Sequence, residues 1–324
     1  MSQVMHGEGL VGLKEIEAAA RRLVGIAVPT PLIHSDFLSE IADAPVRLKF
    51  ESLQRAGSFK IRGAHNFVSQ LSDDQVAHGI ITYSSGNHGQ AVALAGKLRG
   101  VRVVVVMPTT TPKVKRDGAE RFGAELVFEG TTSVERRARA EEIAKQERLV
   151  IVPPFDHRHI IAGAGTVGLE IAKEWPDVDY VLVPAGGGGL LSGVAASLKR
   201  LHPKAKVIGV EPVGAAAMRA ALDNGSPALL GHVETIADGL APSIVSQLTF
   251  EHARDLVDDV VTVTDEAIRH ATSSLVERHK VVVEFSGAAA VAAIMSRKIE
   301  VHGGRVAVVV SGGNLDPLFL RQLL

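Results

Sequence analysis

A two-domain α/β protein built on parallel sheets is predicted by three features of the chain. Its 324 residues are more than a single hydrophobic core usually organises, so two domains are expected. Short β-branched runs alternate with Ala-rich or charged stretches of helical spacing, which is how strands joined by crossover helices read. Glycine-rich clusters follow several of the predicted strands, where a parallel sheet opens its binding crevice.

From residue 78 onward, strands are predicted at 79–83, 101–107, 125–128 and 149–152, with helices at 88–98, 112–122 and 133–145 between them. Pro153-Pro154 punctuates the end of this series. A second series follows, with helix 161–175, strand 180–184, helix 190–201, strand 206–210, strand 260–263, helices 266–278 and 287–297, and strand 305–310. The small domain is therefore expected at 78–153. The N-terminal segment is assigned to the second series, giving a large domain of 1–77 with 154–324. No internal repeat and no low-complexity linker interrupts the pattern.

Composition narrows the function classes. With 35 Lys and Arg against 36 Asp and Glu, the chain lacks the basic surplus that phosphate-backbone binding needs, so no nucleic acid partner is expected. Apolar runs such as 103–107 and 306–310 are far too short to span a bilayer. The first twelve residues carry Glu8 rather than a basic then apolar leader, so no membrane partner and a cytoplasmic location are expected. The absence of cysteine excludes disulfides, thiolate metal sites and cysteine nucleophiles.

Lys60, within Ser58-Phe59-Lys60-Ile61-Arg62-Gly63, is the candidate reactive amine. A lysine becomes nucleophilic when desolvation or a cationic neighbour lowers its pKa, and it then forms Schiff bases with carbonyls or pyridoxal phosphate. Tyr83-Ser84-Ser85-Gly86-Asn87-His88-Gly89-Gln90 follows a strand and opens a helix, a turn that suits a carboxylate; its ordinary meaning is a capped βα connection. Gly186-Gly187-Gly188-Gly189-Leu190 holds more glycine than a turn requires, at about 0.5–1 kcal/mol of chain entropy each, and its N–H groups can converge on a phosphate. A dinucleotide site competes for this loop, because Glu211 closes the next strand where a ribose acid would stand, although the G-x-G-x-x-G spacing is absent. Ser311-Gly312-Gly313-Asn314 ends the last strand, and Glu284 lies in an apolar context before a helix, where a structural carboxylate would complement the helix dipole.

Taken together with Ala237-Asp238-Gly239, these clusters resemble the fold type II pyridoxal phosphate enzymes (tryptophan synthase β-like), and among them the threonine/serine dehydratases and serine racemases. The resemblance covers nearly the whole chain. It implies that Lys60 forms the Schiff base with pyridoxal 5'-phosphate, that Phe59 packs beside the ring, and that Asn87 bonds the ring hydroxyl. Gly186, Gly187, Gly188, Gly189 and Leu190 would cradle the phosphate, Gly239 and Glu284 would adjoin the cofactor, and Ser311 would face the pyridine nitrogen. A neutral hydroxyl there makes a weaker electron sink than a carboxylate would, which favours β-elimination. Ser84, Asn87, His88 and Arg136 would receive the substrate carboxylate, and Ser85 matches the serine that racemases use on the cofactor face opposite the lysine. Arg136 also lies in a charge run whose ordinary meaning is a solvated helix face.

Two departures stand out. Related enzymes hold a divalent cation with a glutamate and a second carboxylate, but Glu211 is followed by Pro212-Val213-Gly214-Ala215-Ala216-Ala217, so no metal is expected. Ala164 stands where many threonine dehydratases have glutamine. The resemblance implies a homodimeric lyase that deaminates L-threonine or L-serine, a small amino-acid substrate. Open alternatives are an amino-acid racemase and a dehydratase of 3-hydroxyaspartate, phenylserine or an ectoine-derived compound. Outside this class stand a nicotinamide-dependent oxidoreductase and a silent amino-acid binder.

Overall fold

A computed structural model describes residues 9–84 and 86–323. Six strands, β1 (Leu32–His34), β2 (Val46–Phe50), β7 (Tyr180–Pro184), β8 (Lys206–Pro212), β9 (Asp259–Val263) and β10 (Val306–Val310), form one sheet in the order β1-β2-β10-β7-β8-β9. All pairs are parallel except β1 with β2 at the edge. The other four, β3 (Ile80–Tyr83), β4 (Val103–Met107), β5 (Glu125–Phe128) and β6 (Val150–Ile151), form a parallel sheet in the order β5-β4-β3-β6.

Helices cover both faces of each sheet, which is why the central strands β4, β7 and β10 read as unbroken apolar runs. Alternate residues point to opposite sides. Leu182, Val210 and Val308 pack under helix Phe285–Met295, while Val181, Val183, Val207 and Val309 pack under helices Arg158–Glu174 and Gly189–Leu201. In the smaller sheet, Ile80, Val103 and Val105 meet helix Asn87–Arg99, and Ile81, Val104 and Val106 meet helix Ser133–Glu147. Among the described residues no helix is long and apolar enough to cross a membrane.

Helix Lys60–Val68 lies between the two halves. Its Ile61, Ala64, Phe67 and Val68 join the core of the smaller sheet, and its other side presses on helix Arg158–Glu174 at backbone distance. A side chain on Gly63 would begin 2.9 Å from the Ile160 carbonyl oxygen, and one on Gly163 would collide with the Arg62 carbonyl. Arg62, 1% exposed, fills the space behind. Its guanidinium donates to both Glu51 oxygens at 2.8 Å and to Glu170 at 2.6 and 3.0 Å. Lys49, also buried, donates to Glu170 at 2.8 Å and Glu174 at 3.1 Å and to the Thr30 carbonyl at 2.6 Å.

A buried charge network of this kind is costly to break from one side, because the remaining ions lose their partners. Arg62→Met is expected to destabilise the protein by about 3–5 kcal/mol, read as a lower urea midpoint than wild type. An unchanged midpoint would show that the network contributes nothing to the seating of this helix.

Candidate active site

Lys60 opens its helix, and its Nζ donates to the Pro154 carbonyl at 2.9 Å. Burial lowers its pKa to about 8, against an opposing pull from Glu284. The amine is therefore partly neutral near physiological pH, as a nucleophile or general base requires. Phe59 immediately precedes it, with Lys60 Nζ 5.1 Å from the ring centroid. The Phe59 amide donates to the Ser311 carbonyl at 3.1 Å, which ties the lysine to the end of β10. The Ser311 side chain is buried and keeps its hydroxyl free of any hydrogen bond to a described residue.

The glycine loop joins β7 to helix Gly189–Leu201. Gly188 has φ +87°, the left-handed region that glycine enters without steric penalty. The Phe155 ring lies against Gly187 and its Cβ and backbone against Gly189, while the Gly239–Leu240 backbone covers Gly186. Residues 186–191 are buried, yet none of their six amide N–H groups has an acceptor among the described residues. Buried backbone donors are nearly always paired, and a convergent set at a helix N-terminus is an anion site. This cradle fits the phosphate of pyridoxal phosphate, and Lys60 fits its aldehyde.

Asn87 begins helix Asn87–Arg99 and joins several segments. Its amide nitrogen donates to Glu284 Oε1, and its oxygen accepts from Asn314 Nδ2 at 2.9 Å. Glu284 caps helix Phe285–Met295 with its backbone only, and its side chain turns instead to Asn87 and Lys115. Burial raises the Glu284 pKa and Asp238 adds to that, while Lys115 and Asn87 oppose it. Gly239 donates its amide to Ser286 Oγ at 2.8 Å, beside the start of the same helix. Ser84 is buried and accepts from the Gly86 amide at 3.0 Å; Ser85 lies outside the described residues.

His88 is buried with Nε2 3.2 Å from the Val152 carbonyl oxygen. Desolvation, with Lys60 nearby, lowers its pKa to about 3, so the ring is neutral at working pH. Arg136 is not on a solvated face: it is buried, and it donates to the Thr131 carbonyl at 3.1 Å. Among the described residues no hydrogen bond or ion pair links it to Lys60, Ser84 or Asn87. Sequence reasoning missed Phe155, which forms the wall of the glycine loop, and Lys115, which reaches Glu284. Phe155 follows the Pro153-Pro154 break directly, and this was its one available signal.

Glu211 accepts from the amides of Met218 at 2.8 Å and Arg219 at 2.9 Å, in the first turn of helix Ala217–Asn224. Burial raises its pKa to about 7 against those bonds. A hard divalent cation needs convergent oxygens, whereas here amide donors point at the one carboxylate, so these residues do not fit such an ion. Among the described residues no cluster of three His, Asp or Glu could hold a metal. Glu211 is also fully buried and turned to the helix amides, so it does not stand open to a ribose as a dinucleotide site requires.

The family model described as "Pyridoxal-phosphate dependent enzyme" matches residues 25–312. The L-threonine ammonia-lyase of Thermotoga maritima is 41% identical over 315 residues, 97% of this chain and 78% of that one. The catabolic L-threonine dehydratase TdcB of Escherichia coli K12 is 39% identical over 308 residues, 94% of each. Among solved structures, maize serine racemase superposes with a TM-score of 0.93 at 35% identity, covering 97% of each chain. The processed threonine deaminase isoform 2 of Solanum lycopersicum gives 0.88 at 35% identity, covering 100% of this chain and 98% of that one. A buried lysine facing an anion cradle, in a fold shared from end to end with these proteins, makes the chain a member of the pyridoxal-phosphate dependent enzymes, of fold type II.

Proposed function

We propose that the enzyme deaminates L-threonine and L-serine, releasing a 2-oxo acid and ammonia. The observation that carries this reading is the buried Lys60 amine, with its pKa lowered to about 8, bonded to the Pro154 carbonyl, whose neighbour Phe155 packs on the glycine loop of unpaired amides. The names of the threonine ammonia-lyase and dehydratase relatives support the substrate class. When bound, pyridoxal phosphate supplies an electron sink for the substrate α-carbon.

The chain's own residues supply the rest. Lys60 would hold the cofactor's aldehyde, and its Nζ, buried and with a lowered pKa, would take the substrate α-proton as general base. The turn at Ser84 and the N-terminus of helix Asn87–Arg99 receive the substrate carboxylate, where unpaired helix amides favour an anion. Ser311 places a neutral hydroxyl, not a carboxylate, at the end of β10, and this suits rapid loss of the β-hydroxyl over a long-lived carbanion. No step is assigned to a divalent cation.

The same reading takes the working form to be a cytoplasmic homodimer. Exposed Leu53 and Val282, on segments that adjoin at Gly313, support an interface between copies there.

Lys60→Ala is expected to lose the visible absorbance of lysine-bound cofactor and at least about 10³-fold in turnover of L-threonine, with an unchanged circular dichroism spectrum. Normal turnover in that variant would overturn the proposal. Because only the neutral amine attacks an aldehyde, uptake of pyridoxal phosphate by cofactor-free protein should rise with pH through a midpoint near 8. A midpoint in the ordinary lysine range would show that Lys60 is not desolvated.

For the cation site, treatment with a chelator followed by Mg²⁺ should leave both deamination rate and melting temperature unchanged. Reversible inactivation that Mg²⁺ restores would contradict the geometry of Glu211.

A further inference from the structure

Lys115 sits on helix Lys113–Glu120, in the half of the molecule that carries the smaller sheet, and its side chain is only 5% exposed. Its ammonium crosses to two carboxylates of the other half. It pairs with Asp238, next to Gly239, and lies 3.3 Å from Glu284 Oε2. Along the way its stem lies against Gly86, where a Cβ would overlap the Lys115 methylenes. Nothing in the chemistry assigned above uses this residue. A buried lysine is uncommon, and one held by two acids at the junction of two layers has been given a partner on purpose.

We propose that Lys115 is a positioning residue for the deamination, a buried cross-link that fixes the Ser84–Asn87 turn and the Glu284 carboxylate relative to Lys60. The inference rests on the functional reading given above. Three contacts define the device. The Lys115 stem backs the turn at Gly86, its ammonium holds Glu284 from one side, and Asn87 holds Glu284 from the other. Asn314 then bonds Asn87, which extends the chain of contacts to the end of β10 beside Ser311. Removing the ammonium would leave the buried Glu284 carboxylate bonded by Asn87 at Oε1 but with no cation beside Oε2, so the turn would lose both its backing and the ion pair behind it.

The charged groups that face Glu284 are Lys115 from helix Lys113–Glu120, Asp238 from the turn before Leu240, and Lys60 from its own helix. Burial and Asp238 favour the protonated form of Glu284, and Lys115 opposes them. Without Lys115, Glu284 should take up its proton at higher pH. Any property that needs the ionised carboxylate is then lost earlier as pH falls, and the acid limb of the rate profile moves upward.

The test compares wild-type holoenzyme with Lys115→Met, Lys115→Arg and Lys115→Gln. In Lys115→Met, KM for L-threonine should rise by about tenfold or more, with a smaller change in kcat, as when binding geometry rather than chemistry is lost. The acid limb of kcat/KM should shift to higher pH. Lys115→Arg, which keeps the charge, should restore part of both. Hydrogen–deuterium exchange of the holoenzyme gives a readout independent of activity: amides of the peptide covering residues 84–90 should exchange faster in Lys115→Met than in wild type.

Wild-type exchange over 84–90, or an unshifted KM and acid limb, would overturn the inference. So would an arginine variant no better than methionine. If Lys115→Met does not fold, Lys115→Gln, which also removes the ammonium, carries the same exchange and KM expectations, and its failure to alter either would be equally decisive. A wild-type enzyme inactive on L-threonine would refute the functional reading, while the exchange measurement would still decide the role of Lys115.

Discussion

Everything at this site depends on keeping one amine out of water. Lys60 can act at neutral pH only because burial lowers its pKa to about 8, and burial requires packing on every side of the helix it begins. The fold meets that demand by wedging helix Lys60–Val68 between the cores of two sheets. The contact with helix Arg158–Glu174 is so close that Gly63 and Gly163 meet at backbone distance. The same packing forces Arg62 inside, two residues from Lys60. An unpaired guanidinium there would be unstable in the interior. Glu51 and Glu170 neutralise it, so the buried ion network behind the helix is a consequence of placing the amine in front of it.

On the far side of the crevice the logic is reversed, with donors left unsatisfied. The loop 186–191 turns six amides inward with no protein acceptor among the described residues. The aromatic wall of Phe155 and the backbone at Leu240 shield them. Isolated, that arrangement is unfavourable; with a phosphate in place it becomes one of the stronger interactions a backbone can make. Stability and cofactor binding are thereby coupled, since a ligand that binds only the folded state adds to its stability. Glu211 offers a contrast within the same sheet. There a buried carboxylate of the protein itself already accepts from the Met218 and Arg219 amides of helix Ala217–Asn224.

Much of this was legible in the sequence, because the central strands β4, β7 and β10 are buried throughout and so appear as unbroken apolar runs. The predicted strands 180–184 and 125–128 match β7 and β5 residue for residue, and the glycine loop and Lys60 stand out by composition alone. The N-terminal strands were not legible. β2 (Val46–Phe50) contains Arg47 and Lys49, and the buried state of Lys49 depends on Thr30, Glu170 and Glu174, partners up to 125 residues away. Helices Ala217–Asn224 and Gln247–Leu256 are short and bury only a few residues each, so little more than two turns of sequence carry their pattern. Arg136 was expected to meet the substrate carboxylate, although Glu135-Arg136-Arg137 has the polar look of a solvated helix face. Yet position 136 falls on the same helix face as Ala140 and Ile143, which pack on the smaller sheet. Lys115 was hidden for the same reason, in a run of charges of which one turns inward.

These buried charges share one organising rule. Lys60 has no carboxylate within hydrogen-bonding distance among the described residues, and its single bond is to the Pro154 carbonyl. Lys115, equally buried, has two carboxylates, and its pKa is raised as a result. Desolvation alone would lower both lysines; the opposite outcomes follow from where the acids stand. Glu284 lies between them and bonds Lys115, exerting on Lys60 only a weaker pull through space. Had Glu284 turned to Lys60 instead, the amine would be held protonated and inert at neutral pH. The inward lysine on helix Lys113–Glu120 thus helps to leave the other one free, and the reactivity of Lys60 is set partly by a residue that never touches it.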